Sequence, residues 1–340
     1  MSGLYDPRTH MSRNAKRLAP VVIAVLGVAL LSAAAAPSAP SSSSGLYVVS
    51  AAGGKSRKVV DACVESFAWS PDGRAIAYKR LLNDNESDAV TEIIDLRTGR
   101  TKRLADEGRA ESPSWSPDGT RVAFDTGAGI LVGLRTGPSK ARLVASGGSD
   151  YWPAWSPDAT RIALDAFSQH IRLIAPTGRK LKTLMTTNTG LHAPVLWFPN
   201  GKRLLYSTEG SNGPGLASVN PNGTALRTVV SSGVGRGFAI SPDGKRIAYE
   251  TESGVSIVSS SGARPKPLAP VYLGGWAPDG RRLVVVADGV LVINDDGSEM
   301  RQIAHRASAD GFAIGQPVAS WSSRDEIAYM DTAPTCGGPD

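Results

Sequence analysis

The 340-residue sequence predicts an all-β protein: a seven-bladed β-propeller of four-stranded antiparallel blades, closed by its N- and C-terminal hairpins. Three observations predict it. A motif centred on Trp-Ser-Pro-Asp-Gly and flanked by alternating apolar residues occurs seven times. A second turn ending in glycine follows each copy. After residue 40 no long stretch carries the apolar period of a helix, while 37 glycines and 23 prolines are spread along the chain as turn signals.

In chain order, the first element is an export signal spanning residues 1–36. Arg13, Lys16 and Arg17 form a positive n-region, Leu18–Ala36 is apolar, and small residues follow at Ala33–Ala36 and Ser38–Ala39. A start at Met11 would give the more usual n-region length. The 19-residue apolar run is also long enough to stay in a bilayer as an anchor. Pro20, Gly27 and the alanine-rich end favour cleavage, so the mature chain is expected to begin outside the cytoplasm, secreted or periplasmic. Residues 37–44, rich in Ser and Pro, form a flexible leader. The net charge of +6 drops to +3 once residues 1–40 are set aside, leaving 33 basic and 30 acidic residues. No basic stripe interleaved with aromatics remains, so a mixed-charge surface is expected and nucleic acid is not.

The propeller occupies residues 45–331. Its first-hairpin copies are Phe67–Tyr78, Pro113–Phe124, Pro153–Leu164, Val195–Tyr206, Phe238–Tyr249, Gly274–Val285 and Val318–Tyr329. The Trp position falls at 69, 115, 155, 197, 240 (an Ile), 276 and 321, and takes six of the seven tryptophans. In Ser-Pro-Asp-Gly, Pro sets φ, Asp suits the third position and Gly accepts φ > 0 at the fourth. Asp72-Gly73, Asp118-Gly119, Asp243-Gly244 and Asp279-Gly280 are therefore structural turn residues. The third copy has Asp158-Ala159 and the last has Ser323-Arg324-Asp325, so those two turns are expected to need another geometry.

Second hairpins turn at Ala52-Gly53, Thr98-Gly99, Thr136-Gly137, Thr177-Gly178, Asn222-Gly223, Ser261-Gly262 and Asp296-Gly297. Two hairpins make one four-stranded blade. The repeats begin with a second hairpin, Gly45–Val60, and end with a first one, Val318–Tyr329. Joined, these complete a seventh blade and remove two exposed sheet edges. Residues 332–340 form a C-terminal tail.

These repeats resemble those of TolB-like bacterial propellers, also found as the propeller of prolyl-oligopeptidase-type peptidases. The similarity covers about 45–331. It implies the propeller fold and leaves the partner open. The helical N-terminal domain usual in TolB is not expected, because blades follow the leader directly. Nor is the peptidases' hydrolase domain, because about ten residues follow the last blade.

Cys63 follows the fourth strand of the closing blade and Cys336 its second strand, so both reach the same face. In an oxidising compartment a disulfide between them is favoured over two free thiols. The turn acids Asp72, Asp118, Asp158, Asp243 and Asp279 are dispersed one per blade, which favours a structural role over calcium. No cofactor and no metal are expected. No Gly-x-Ser-x-Gly elbow is present, and three histidines remain after the export segment, His170, His192 and His305.

Loops entering the innermost strands carry Glu65, Glu111, Asp150, Tyr151, Trp152, His192, Arg236, Tyr272 and Gln316. Glu111, Asp150, Tyr151, Trp152, His192 and Arg236 are the candidate binding residues. Trp152 lies outside the repeat position and is either a solvent-facing aromatic suited to a peptide or sugar, or packed over its own blade. The expected function is that of a monomeric, exported, non-catalytic propeller presenting this loop face to a protein or peptide of the cell envelope or exterior. The alternative is a propeller-type hydrolase or lyase acting on a small molecule or glycan at the channel mouth. A third reading, the sensor domain of an anchored protein, depends on retention of Leu18–Ala36.

Overall fold

A computed structural model describes residues 44–82, 89–105, 113–126, 128–138, 140–146, 150–166, 170–185, 194–210, 213–235, 237–305 and 319–331. The export segment, the leader up to residue 43 and the C-terminal tail lie outside them. The described residues fall within one compact unit, residues 39–340, and form seven four-stranded antiparallel sheets.

The chain enters on β1 (Gly45–Ser50) and β2 (Arg57–Val60). Blade 1 follows as β3 (Val64–Trp69), β4 (Ala75–Leu81), β5 (Ala89–Asp95) and β6 (Thr101–Ala105). Blade 2 is β7 (Ser114–Trp115), β8 (Arg121–Thr126), β9 (Gly129–Leu134) and β10 (Arg142–Ser146). Blade 3 is β11 (Asp150–Trp155), β12 (Ile162–Ala166), β13 (His170–Ile174) and β14 (Lys180–Met185). Blade 4 is β15 (Leu196–Trp197), β16 (Leu204–Gly210), β17 (Gly213–Val219) and β18 (Arg227–Val230). Blade 5 is β19 (Phe238–Ile240), β20 (Arg246–Thr251), β21 (Gly254–Ser259) and β22 (Lys266–Ala269). Blade 6 is β23 (Tyr272–Trp276), β24 (Arg282–Val286), β25 (Gly289–Asn294) and β26 (Arg301–His305). β27 (Ala319–Trp321) and β28 (Glu326–Asp331) then pair with β1 and β2 in the order β2-β1-β28-β27, which makes blade 7.

Closure therefore follows the predicted hairpin pairing. β1 and β28 match residue for residue from Gly45↔Asp331 to Ser50↔Glu326, and Tyr47 stacks on Tyr329 with ring centroids 5.4 Å apart. Because strands alternate in direction, both hairpin turns of every blade share one face, the turn face. The connections into each innermost strand share the other, the loop face.

The turn geometry corrects one expectation. All seven residues at the fourth turn position are left-handed, including Ala159 (φ 57°) and Asp325 (φ 58°), beside Gly119 at 67°. The side chains explain why Ala159 is forced there. Ser156 Oγ donates to Asp158 Oδ1 (2.5 Å), which also accepts the Thr160 amide (3.0 Å). Ser116 and Asp118 make the same bonds in blade 2, at 2.5 and 3.0 Å. This network holds the backbone path with or without glycine. It also holds the carboxyl of Asp118 down to about 2, through the Ser116 hydroxyl and the Thr120 amide.

Blades pack face to face through apolar side chains. Ile171 and Leu173 of blade 3, for example, meet Trp197, Leu204 and Tyr206 of blade 4. Most seams have a polar complement that periodicity does not reveal. The Trp indole donates to a backbone carbonyl of the preceding blade: Trp69 to Ser320, Trp115 to Ala68, Trp197 to Ala154 and Trp276 to Ala239, at 3.0–3.2 Å. The Arg that opens the second strand lies over the next blade's Trp, as Arg121 on Trp155, Arg161 on Trp197, Arg246 on Trp276 and Arg282 on Trp321, 4.6–5.0 Å from the ring centroid. At the outer rim a basic residue of five of the fourth strands reaches the next blade's turn carbonyls, Lys266 to Asp296 O among them (3.2 Å). Lys102 bonds Leu134 O (2.7 Å), Arg142 Thr177 O (2.8 Å), Lys182 Asn222 O (2.6 Å) and Arg301 Ala52 O (2.8 Å).

The fold also sorts charge, against the evenly mixed surface expected from composition. The two turns of each blade, with their flanking strand ends, hold most of the basic residues, and the rest of the sequence most of the acidic ones.

Candidate functional site

The innermost strands of all seven blades surround a central cavity of about 950 Å³. Its wall follows from the repeat. Trp69, Trp155, Trp197, Trp276 and Trp321 of the Trp position line it with the turn prolines Pro117, Pro157 and Pro199. The seams already satisfy most of these indoles, which leaves a mainly apolar channel. That surface suits a side chain or a short peptide segment.

Among the described lining residues the charged one is Glu250, on β20. Both its oxygens are held by backbone amides: Oε2 accepts from Gly237 N (3.1 Å) and Oε1 from Leu273 N of blade 6 (2.9 Å). Gly237 stands so close that a Cβ there would meet the Glu250 carboxyl carbon at 3.1 Å. The carboxylate is thus fixed across the seam between blades 5 and 6. Tyr272 stands at the same mouth, 51% exposed.

Glu250 belongs to a position missed in the sequence reading. It directly follows the residue that ends the first-hairpin motif, and its equivalents are Lys79, Asp125, Asp165, Ser207, Val286 and Met330, all buried. Four charged residues at one position of an otherwise apolar repeat were the available signal. Each is near the loop-face end of its blade. Lys79 Nζ lies 2.5 Å from Glu65 Oε2, and Asp125 Oδ2 accepts the Trp152 amide of blade 3 (3.4 Å). Beside Lys79, the buried Glu92 accepts from Tyr78 Oη (2.8 Å) and Arg80 Nε (3.1 Å). Burial opposes ionisation of Glu92, but the Arg80 and Tyr78 bonds outweigh it and hold the carboxyl below its usual range. Burial and Glu92 together push the Tyr78 phenol up.

Of the predicted binding residues, Trp152 is placed fully. It is 5% exposed and lines the cavity. Its φ of 48° is rare for a bulky side chain and lies at the register shift between Tyr151 and Ala154, where β11 twists to bring the indole inward. Asp150 and Tyr151 begin the same strand, paired with Ala166 and Asp165. Glu111, His192 and Arg236 lie outside the described residues, as does Gln316. Cys63 is buried after β2, and Cys336 lies outside the described residues. The turn acids sit on the opposite face from the channel mouth, engaged in their own turns.

A family model described as the TolB beta propeller domain matches residues 36–258. Among solved structures, the chain is similar to TolB from Acinetobacter baumannii (20% identity, TM-score 0.53, covering 71% of this chain and 65% of that one). It is similar to a protein assigned as TolB from Agrobacterium tumefaciens (18% identity, TM-score 0.56, covering 87% and 100%). It is also similar to hydrazine synthase from Kuenenia stuttgartiensis (20% identity, TM-score 0.55, covering 68% and 77%). At these identities the likeness shows the fold alone. The chain spans about two thirds of the length of the Acinetobacter TolB. No curated protein sequence matches the chain.

Proposed function

Because the chain belongs to the TolB β-propeller family, we propose that it is an exported, non-catalytic binding propeller whose loop face takes a protein or peptide partner of the cell envelope or exterior. The observation that carries this reading is the apolar channel, open beside the carboxylate of Glu250, the one charged group among the described lining residues. An apolar wall offers burial to an inserted side chain, and Glu250, half-buried and oriented by two amides, offers a partner to a cationic group without reorganisation. The family assignment supports a protein partner, and the positive n-region with its apolar run supports a place outside the cytoplasm.

The test is chemical cross-linking in intact cell envelopes with the native chain as bait, repeated with Glu250→Gln and Tyr272→Ala. A single partner captured by the parent chain and weakened at least tenfold by each variant is the expected result. Equal capture by all three forms would remove the channel mouth from the interaction. Turnover of a lactone or glycan by the purified chain, lost in Glu250→Gln, would replace this reading with the hydrolase or lyase.

A further inference from the structure

The turn face carries a charge pattern that the channel does not use. The seven first turns and seven second turns, taken with their flanking strand ends (70–75, 116–121, 156–161, 198–203, 241–246, 277–282, 322–326; 50–58, 95–103, 134–142, 175–182, 219–227, 259–266, 294–301), hold 27 basic and 11 acidic residues. All other positions after residue 40 hold six basic and 19 acidic. The excess is itself uneven. Second turns of the contiguous blades 7, 1, 2 and 3 hold 13 basic residues and one acidic, whereas that of blade 6 holds Asp295, Asp296 and Glu299 against Arg301. Some of these cations are spent on seams, as Lys102, Arg142 and Lys182 are. Arg97, Arg100, Lys140 and Lys180 are exposed.

Exposed leucines are interleaved with the blade 2 and blade 3 part of this arc. Leu143 is 48% exposed beside Arg142, and Leu181 is 38% exposed between Lys180 and Lys182. A soluble polyanion has no use for them. An anionic bilayer does, because cations meet headgroup phosphates while leucines enter the interfacial layer. We propose that the turn face, along the arc of blades 7, 1, 2 and 3, docks onto an anionic lipid surface, with the loop face turned away from it. The docking is independent of what the channel binds.

Cosedimentation of the full chain with phosphatidylcholine vesicles, with and without phosphatidylglycerol, tests this. The apolar run at 18–36 would itself favour any bilayer, so the readout is the preference for anionic over neutral vesicles and its salt dependence. The parent should prefer anionic vesicles by a factor on the order of several hundred and lose that preference in high salt. Each basic residue contributes about fivefold at such a surface, so Arg100→Glu/Lys140→Glu/Lys180→Glu should cut the preference on the order of a hundredfold. Leu143→Ser/Leu181→Ser should weaken vesicle binding but not binding of a single-stranded oligonucleotide. Circular dichroism melts matching the parent's establish that both variants are folded. Equal binding to neutral and anionic vesicles, or a folded triple variant that binds like the parent, overturns the proposal. Oligonucleotide binding as tight as vesicle binding, with the leucine variant unimpaired on vesicles, would instead make the face a soluble-polyanion site.

Discussion

The turn residues separate what glycine contributes from what the surrounding network contributes. Gly119 has φ 67°, and a Cβ built there meets nothing closer than Pro71 Cδ at 3.6 Å. Substitution at this position is therefore resisted by backbone strain and not by crowding. Gly119→Val should destabilise by roughly 1–3 kcal/mol, since a β-branched residue is a clear outlier in this conformation. Ala159 already bears that strain at φ 57°. Ala159→Gly should be neutral or stabilising by up to about 1 kcal/mol, the relief being offset by greater freedom of the unfolded chain. Denaturant melts of the two variants check the pair. Equal, small effects would mean that the Ser-x-Asp bonds alone dictate the turn.

Between blades, the Trp is held in two ways, by donating backward to a carbonyl and by an Arg from the preceding blade lying on its ring, and Trp197 and Trp276 show both. Where the Trp is replaced by Ile240, the matching Arg203 has no ring to cover and bonds Ser218 O (2.9 Å) and Ala225 O (2.8 Å) in its own blade. The Arg and the Trp are thus one device divided between two repeats. Trp197 and Trp155 are buried alike and each carries an Arg, but Trp197 Nε1 reaches Ala154 O whereas Trp155 Nε1 has no partner among the described residues. Trp197→Phe should therefore cost about 1 kcal/mol more than Trp155→Phe, the net worth of one hydrogen bond. Thermal or urea melts of the two variants provide the comparison, and indistinguishable losses would leave ring packing alone as the seam's support.

For the whole molecule, stability depends on a seam joining segments about 260 residues apart. Arg301 donates to Ala51 O and Ala52 O on one side of blade 7, and Trp69 donates to Ser320 O on the other. Deleting residues 45–60 should abolish cooperative unfolding, whereas deleting 37–44 should leave the melt nearly unchanged. A Cys63–Cys336 disulfide would close nearly the entire chain, worth on the order of 5 kcal/mol in the loop-entropy model and about half of that in practice. A non-reduced digest of native protein should yield the linked peptide, and reduction should lower the Tm. Two free thiols in exported protein would disprove this staple.

The sequence by itself determined the blade count, the hairpin pairing and the closing of the ring. A 40-residue repeat states these directly: strand alternation and turn chemistry act within about ten residues, and two half-blades at the ends permit one closure. It was silent where partners come from different repeats. Glu250 gains its meaning from an amide in the next blade, Arg161 from the next blade's Trp197, and Trp152 from a register shift that turns it inward. Charge shows the same divide, for composition describes a mixed surface and only the ring gathers cations onto one face. Tertiary structure decided these points because side-chain contacts across a seam depend on where the neighbouring sheet stands, which no local pattern encodes.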